Sequence, residues 1–239
     1  MSRFFFKNTN TNESHYSDEL GIHIRTMPVI PVSKRVIESH PVEGRDGSLT
    51  IDKGYYKDII FPLEIIVAKQ TGENIYNQLD TAYQWLDGPG EMSFDNYLNG
   101  RHLIIKAVDI GDLYHVMQAG GIHSITLLCE PFKYSQEEEI TWATGEQYIF
   151  NPSQIEAKPI ITVTGTGDID LIVNGVITQL KNVSGYVTID SMAMTTYKDT
   201  VNKSMDKIGP FPELKAGANL ISATGTVTGI EVKTKWRWK

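Results

Sequence analysis

Residues 39–67 read SHPVEGRDGSLTIDKGYYKDIIFPLEIIV, and this stretch sets the expectation for the whole fold. Its pattern predicts a strand, a tight turn, a second strand, a break at Gly54 and a third strand. Asp46-Gly47 indicates a hairpin turn, because such a turn needs a positive φ that glycine adopts without steric cost. Residues 59–67 are rich in Ile, Val and Phe, as half-buried strands are. The stretch therefore predicts a β-meander.

Residues 72–87 have the pattern of an amphipathic helix. Thr71 is placed to cap its start, and Gly88-Pro89 ends it. A single amphipathic helix in a β-rich chain usually covers an exposed sheet face, and we expect that position here. Apolar residues recur at helical spacing and form one side of the helix: Ile75, Leu79, Ala82, Tyr83 and Leu86.

The polar, acidic residues 135–139 show no apolar period and indicate a boundary between two domains, 1–138 and 139–239. The second domain reads as many short strands separated by glycine-containing turns. Asn174-Gly175, flanked by alternating apolar residues, predicts a type I′ hairpin. Gly165-Thr166-Gly167, Ser184-Gly185 and Gly225 are read as further turns. Evenly spaced short strands are typical of a β-sandwich, so the fold class is all-β with one amphipathic helix.

Composition is that of a globular protein able to bury a sizeable core. The chain has 239 residues, of which 41% are hydrophobic and 21% charged. A net charge of −7 argues against phosphate binding as the main function. Cys129, the single cysteine, lies in an apolar run, which predicts a buried and inert thiol. We expect no secretion signal and no membrane span.

The sequence shows no arrangement typical of an active site, so we expect a protein that is not an enzyme and needs no metal or cofactor. The histidines lack zinc-site spacing; His115 and His123, on opposite arms of a predicted hairpin, are read as structural. No nucleophile elbow is present. Glu137, Glu138 and Glu139 offer carboxylates for glycoside hydrolysis, but in a polar linker they read as solvated charge.

Two tryptophans near the end of the chain are candidate contact residues. Trp236 and Trp238 alternate along the last predicted strand and would therefore point to one face. Such a pair can stack on sugars or anchor a protein interface. It can equally belong to the core of the sheet.

Five landmarks follow one another along almost the whole chain. They are Gly44-Arg45-Asp46-Gly47, entered through Pro28, Pro31 and Pro41; a helix ending Trp85-Leu86 before a strand near Phe94; Cys129-x-Pro131-Phe132-x-Tyr134; Asn151-Pro152 leading to Lys158-Pro159-Ile160-Ile161, Gly165-x-Gly167 and Asn174-Gly175; and Gly209-Pro210-Phe211-Pro212-x-Leu214-x-x-Gly217-x-Asn219. In this order and spacing the chain resembles the siphophage distal tail protein (Dit) family. Leu127 and Pro152-Ser153 depart from the family pattern.

The resemblance implies an N-terminal, β-sandwich-like domain that forms a hexameric ring, and a C-terminal galectin-like β-sandwich. In the family the ring is the hub of the tail tip. It joins the tail tube and tape measure proteins to the tail-associated lysin or baseplate hub protein. It also carries receptor-binding proteins, and DNA passes through its channel. The implied location is the phage tail tip of the virion, with assembly in the host cytoplasm and no membrane contact.

Within this reading, Arg45, Asp46 and Gly47 form a candidate ring-interface hairpin, although they can equally stabilise the turn locally. The acidic composition suits a channel whose carboxylates repel DNA phosphates. The alternative function is a stand-alone carbohydrate-binding module for cell-wall saccharides, favoured by the sandwich pattern and the tryptophan pair. A small glycosidase or esterase is a third option, and no residue points to it.

Overall fold

A computed structural model describes residues 3–95, 97–115 and 120–239, without the side chains of 113–115. The chain divides into two compact units. The first runs up to Tyr134 and includes Lys239, and the second is Ser135–Trp238. Antiparallel strands dominate both units, and the all-β prediction with one α-helix is confirmed. In the described residues no helix is long and apolar enough to cross a membrane.

The first unit is built on one antiparallel sheet and a helix. Its elements are β1 (Phe4–Asn8), β2 (Ser14–Tyr16), β3 (Ile22–Ile24), β4 (Arg35–Pro41), β5 (Ser48–Tyr56), β6 (Ile59–Ala68), α1 (Ile75–Leu86), β7 (Gly90–Phe94), β8 (His102–His115) and β9 (Gly120–Tyr134). The sheet follows the order β2-β1-β7-β8-β9-β6-β3, whereas β4 and β5 form a separate two-stranded sheet.

The core of the first unit lies between this sheet and α1. Along β6 every second residue is buried, from Ile59 to Val67, because the side chains of a strand alternate between its faces. Helix α1 contributes Leu79, Ala82, Trp85 and Leu86 to the same core. The helix therefore covers a sheet face, as the sequence predicts. Full burial of a leucine or isoleucine side chain stabilises the fold by about 1.5–3 kcal/mol.

The start of α1 differs from the prediction. Asn74, not Thr71, caps the helix: its side chain accepts a hydrogen bond from the backbone N–H of Tyr76 at 2.9 Å. Thr71 and Gly72 instead lie in a turn, in which Gly72 has a φ of +86° and the N–H of Glu73 donates to the carbonyl oxygen of Gln70 at 3.2 Å. The helix ends at Leu86, just before Gly88-Pro89 as predicted.

The second unit is a single antiparallel sheet. Its strands are β10 (Glu138–Trp142), β11 (Gln147–Asn151), β12 (Ile160–Val173), β13 (Val176–Asp190), β14 (Thr195–Lys198), β15 (Val201–Asn202), β16 (Lys207–Ile208) and β17 (Gly217–Thr234). The short strand β18 (Arg237–Trp238) follows in the chain and is not part of this sheet. The order is β10-β17-β12-β13-β14-β15, with β11 also paired to β17 and β16 to β13.

Three long strands replace the many short strands that the sequence predicts here. Glycines read as turns lie inside β12, β13 and β17, where register shifts mark bulges, as between Gly167 and Ile169. A Cβ on Gly165 would lie 2.2 Å from the carbonyl oxygen of Thr226, so the close approach of the strands requires glycine. Side chains on both sides of the bulges, such as Val163 and Leu171, share one core.

Asn174-Gly175 forms the predicted type I′ turn. Their φ values are +52° and +80°, and Val173 pairs with Val176 across the turn. Asn174 also ties the turn to β17. Its Nδ2 donates to Asn219 Oδ1 at 2.8 Å, and its Oδ1 accepts from the N–H of Leu220 at 3.0 Å.

Only residues 135–137 of the acidic stretch lie outside strands, directly after the first unit ends at Tyr134. Glu138 and Glu139 begin β10 and pair with Thr234 and Lys233 of β17. The Glu139 carboxylate lies 3.3 Å from the Lys233 amine. Pairing with a distant strand overrides the polar composition of this stretch.

Candidate functional site

The strands β4 and β5, with the connecting residues 42–47, form a separate hairpin in the first unit and are called the arm. They pair only with each other in the described chain. Nearly every residue of both strands is exposed, in contrast to the alternating burial of β6. The arm therefore has no core of its own.

Apolar side chains lie on both faces of the arm. Ile37, opposite Asp52, is 55% exposed. On the other face Leu49 and Ile51, opposite His40 and Glu38, are 44% and 41% exposed. A two-stranded hairpin without a packed face is only marginally stable in water. The exposed apolar side chains make the arm the candidate contact surface of the first unit.

The charges of the arm pair largely with one another. Arg35 Nε lies 2.5 Å from Asp52 Oδ2, and Lys53 Nζ lies 2.8 Å from Glu38 Oε2. The guanidinium of Arg35, together with the N–H of Gly54, lowers the pKa of Asp52. These exposed pairs add little stability. They leave the apolar side chains as the main feature that the arm offers to a partner.

The predicted break at Gly54 is a bulge inside β5. Gly54 has a φ of +77°, and its N–H donates to Asp52 Oδ1 at 2.8 Å. The register shifts between Arg35 and Ile37 of the opposite strand. The bulge lies near the base of the arm, where the Tyr56 ring packs edge-on against Phe132 with centroids 5.1 Å apart.

The candidate residues Arg45, Asp46 and Gly47 lie at the tip of the arm. The predicted turn is here, but it spans six residues and is not tight. Gly44 and Gly47 have φ values of +76° and +81°. The side chains of Arg45 and Asp46 are exposed and have no ion pair within the described chain, whereas the backbone N–H of Arg45 donates to the carbonyl oxygen of Val42 at 3.2 Å.

Sequence reasoning missed the exposed apolar segment that precedes the arm. Within residues 19–32, strand β3 covers Ile22–Ile24, and residues 25–32 lie outside any strand. Val29 is 76% exposed and Val32 60% exposed. The signal was present in Pro28 and Pro31, which limit ladder pairing and leave the intervening apolar side chains outside a sheet.

The tryptophan pair is not an exposed platform. Trp236 is 2% exposed and packs in the core of the second unit, where its indole N–H donates to Glu138 Oε2 at 2.9 Å. Trp238 is half-buried against the same core. The exposed aromatic pair of this unit is instead Tyr148 and Phe150 on β11, which the sequence analysis did not single out.

His123 and Cys129, two of the residues considered in the sequence analysis, are both buried. His123 Nε2 lies 2.7 Å from the Tyr83 hydroxyl, and His123 pairs with Leu113 of β8. The His115 side chain lies outside the described residues, as does part of the predicted hairpin whose arms carry the two histidines. Cys129 is buried as predicted, and burial raises the pKa of its thiol to about 12. No group of three or more metal-ligating side chains occurs among the residues described.

No protein-family model and no curated protein match the chain. Solved structures define its fold class, that of phage tail hub and baseplate proteins. The Dit protein of phage SPP1, described as a paradigm of the hub adsorption apparatus in phages infecting Gram-positive bacteria, is similar with a TM-score of 0.68. The identity is 12%, over 98% of this chain and 99% of that one.

Two chains of the phage P2 baseplate in its activated conformation are also similar. The calcium form has a TM-score of 0.54 and the strontium form 0.53, both at 8% identity over 98% of each chain. The chain therefore has a Dit-like fold over almost its full length, as the resemblance in sequence predicted.

Proposed function

We propose that this chain is a structural hub of a long, non-contractile phage tail tip. The observation that carries the proposal is the similarity to the SPP1 Dit protein over nearly the whole of both chains, with a TM-score of 0.68. A shared domain alone would match only part of the chain. The hub acts through its surfaces and not as an enzyme.

The proposed assembly is a hexameric ring formed by the first unit. A ring repeats one heterologous contact, in which a surface of each copy binds a different surface of the next. The arm supports this arrangement because its apolar side chains have no partner strand or core within the described chain. Arg45 and Asp46 at its tip would contact the neighbouring subunit.

The ring would connect the tail tube and tape measure proteins to the tail-associated lysin or baseplate hub protein. The second unit would be a peripheral galectin-like domain that offers a platform for receptor-binding proteins. The site of action would be the virion, after assembly in the host cytoplasm. DNA would pass through the central channel, and with a net charge of −7 we expect acidic side chains there that repel phosphate. A basic lumen in a structure of the ring would contradict this last point.

The solution mass tests the ring. Six chains of 26.8 kDa give about 161 kDa, to be measured by light scattering with negative-stain images of the same sample. The double variant Ile37→Asp, Ile51→Asp should remain folded and lose the ring, because it places charge on both faces of the arm. Met205→Asp, at a side chain that is 98% exposed in the second unit, is the matched control and should keep the ring.

A monomer at all concentrations, or a ring that survives the double variant, would contradict the role given to the arm. The carbohydrate-binding alternative has lost its main support, since Trp236 lies in the core. A glycan-binding screen of the full chain would revive it only with saturable binding to a defined saccharide.

A further inference from the structure

Strand β11 is an open edge of the second sheet. Gln147–Asn151 pairs with Gly217–Ile221 of β17, and no strand of the described chain pairs with its other side. An open edge presents unpaired backbone N–H and C=O groups that can pair with another chain. Proteins usually guard such edges with charge, proline, bulges or very short strands.

The side chains of β11 offer no such protection. The strand reads QYIFN, without charge or proline, and its register with β17 has no shift. By comparison, β10 on the same side of β17 carries Glu138 and Glu139, and the terminal strand β15 has only two residues. Of β10, β11 and β15, only β11 therefore lacks these protective features.

Burial within β11 alternates sharply. Ile149 is 2% exposed and Asn151 1% exposed, so both point into the unit. Tyr148 and Phe150 are 67% and 68% exposed on the opposite face. Two large aromatic side chains therefore stand side by side on the outer face of an open edge.

We propose that β11 pairs antiparallel with β11 of a second copy, about a two-fold axis at Ile149. The strand is chemically symmetric about that residue, with an aromatic side chain on each side and an amide beyond it. Two-fold pairing places Tyr148 opposite the partner's Phe150, and Phe150 opposite the partner's Tyr148. Cross-strand aromatic pairs stabilise antiparallel sheets by about 0.2–1 kcal/mol each. The contact is self-complementary, as an isologous interface must be.

This pairing is independent of the ring. It doubles the mass of an unassembled chain of 26.8 kDa, and it would join rings to one another through their copies of β11. The first test is sedimentation velocity over a hundredfold range of protein concentration. The wild-type chain should show a concentration-dependent doubling of mass that Phe150→Lys removes and Met205→Lys preserves. Absence of doubling in the wild type, or doubling in Phe150→Lys, overturns the proposal.

Disulfide crosslinking tests the register. Directly opposed residues have Cα atoms about 4.5–5.5 Å apart, within reach of a disulfide, whereas diagonal neighbours are about 7–8 Å apart and beyond it. Tyr148→Cys and Phe150→Cys should therefore crosslink when the two variants are mixed under oxidising conditions, and far less when either is alone. The native Cys129 is buried and does not compete. Equal crosslinking of either variant alone, or none in the mixture, excludes the proposed register.

Discussion

The arm and the β12–β13 hairpin share their local chemistry and differ in what surrounds them. Gly47 and Gly175 lie at their turns with φ values of +81° and +80°. Both hairpins contain a bulge, and both hold a carboxylate next to a basic side chain. Yet Leu171 of β12 is fully buried, whereas Leu49 of the arm is 44% exposed. Turn residues are sufficient to form both hairpins. The β12–β13 hairpin is part of a core because β12 also pairs with β17, whereas the arm has no such neighbour among the described strands.

The largest expected difference concerns one leucine from each hairpin. Leu171→Ala should lower the free energy of unfolding by about 2–5 kcal/mol, because it removes buried methyl groups and leaves a cavity. Leu49→Ala should change it by less than about 0.5 kcal/mol in the unassembled chain. Urea unfolding of both variants at low protein concentration measures the difference. Equal losses would mean that the arm is packed in the free chain.

A smaller difference is expected at the turns. Gly175→Ala should destabilise the second unit by about 1–2 kcal/mol, since a left-handed conformation strains residues with a Cβ. At neither Gly175 nor Gly47 would the added Cβ meet an atom within 4 Å, so conformation alone sets the cost. Gly47→Ala should have the same local cost but leave global unfolding unchanged, because the arm opens independently. A matching loss of global stability would show that the arm and the core unfold together.

The smallest effect concerns pH. The amine of Lys181, with the N–H of Asn182, lowers the pKa of Asp168, as Arg35 lowers that of Asp52. A lowered folded-state pKa contributes stability above the unfolded value of about 3.9 and loses it as the pH falls through the folded value. NMR titration should show both carboxyl pKa values rising in Lys181→Ala and Arg35→Ala respectively. Only Lys181→Ala should change the pH at which a core unfolds in acid, because Asp168 belongs to a hairpin that is part of a core. The change should be small, because exposed ion pairs contribute little stability.

The features that the sequence predicted correctly are those determined by neighbouring residues. The type I′ turn at Asn174-Gly175, the amphipathic side of α1 and the buried thiol of Cys129 each depend on residues close together in the chain. Such features can be read from periodicity and turn residues without knowledge of the partners. The order of the five landmarks predicted the Dit-like fold for the same reason, because each landmark is a local pattern.

Features that depend on distant strands were misread. Gly165 and Gly167 look like a turn, but pairing with β13 and β17 continues the strand through them as a bulge. Glu138 looks like part of a linker until β17 supplies its partner. Exposure of the arm and burial of Trp236 are likewise decided by contacts across the fold. The local composition of a segment does not show which distant segments it contacts.

The hydrogen bonds around Asn174 affect how readily its side chain loses its amide group by deamidation. An asparagine followed by glycine loses its side-chain amide readily when the next backbone nitrogen attacks the side-chain carbonyl, since glycine offers no steric barrier. Here Asn219 and the N–H of Leu220 hold both ends of the Asn174 amide. The side chain is thereby kept from swinging onto the nitrogen of Gly175. Asn174-Gly175 is thus protected from deamidation in the folded second unit, although this dipeptide is the kind that deamidates most readily.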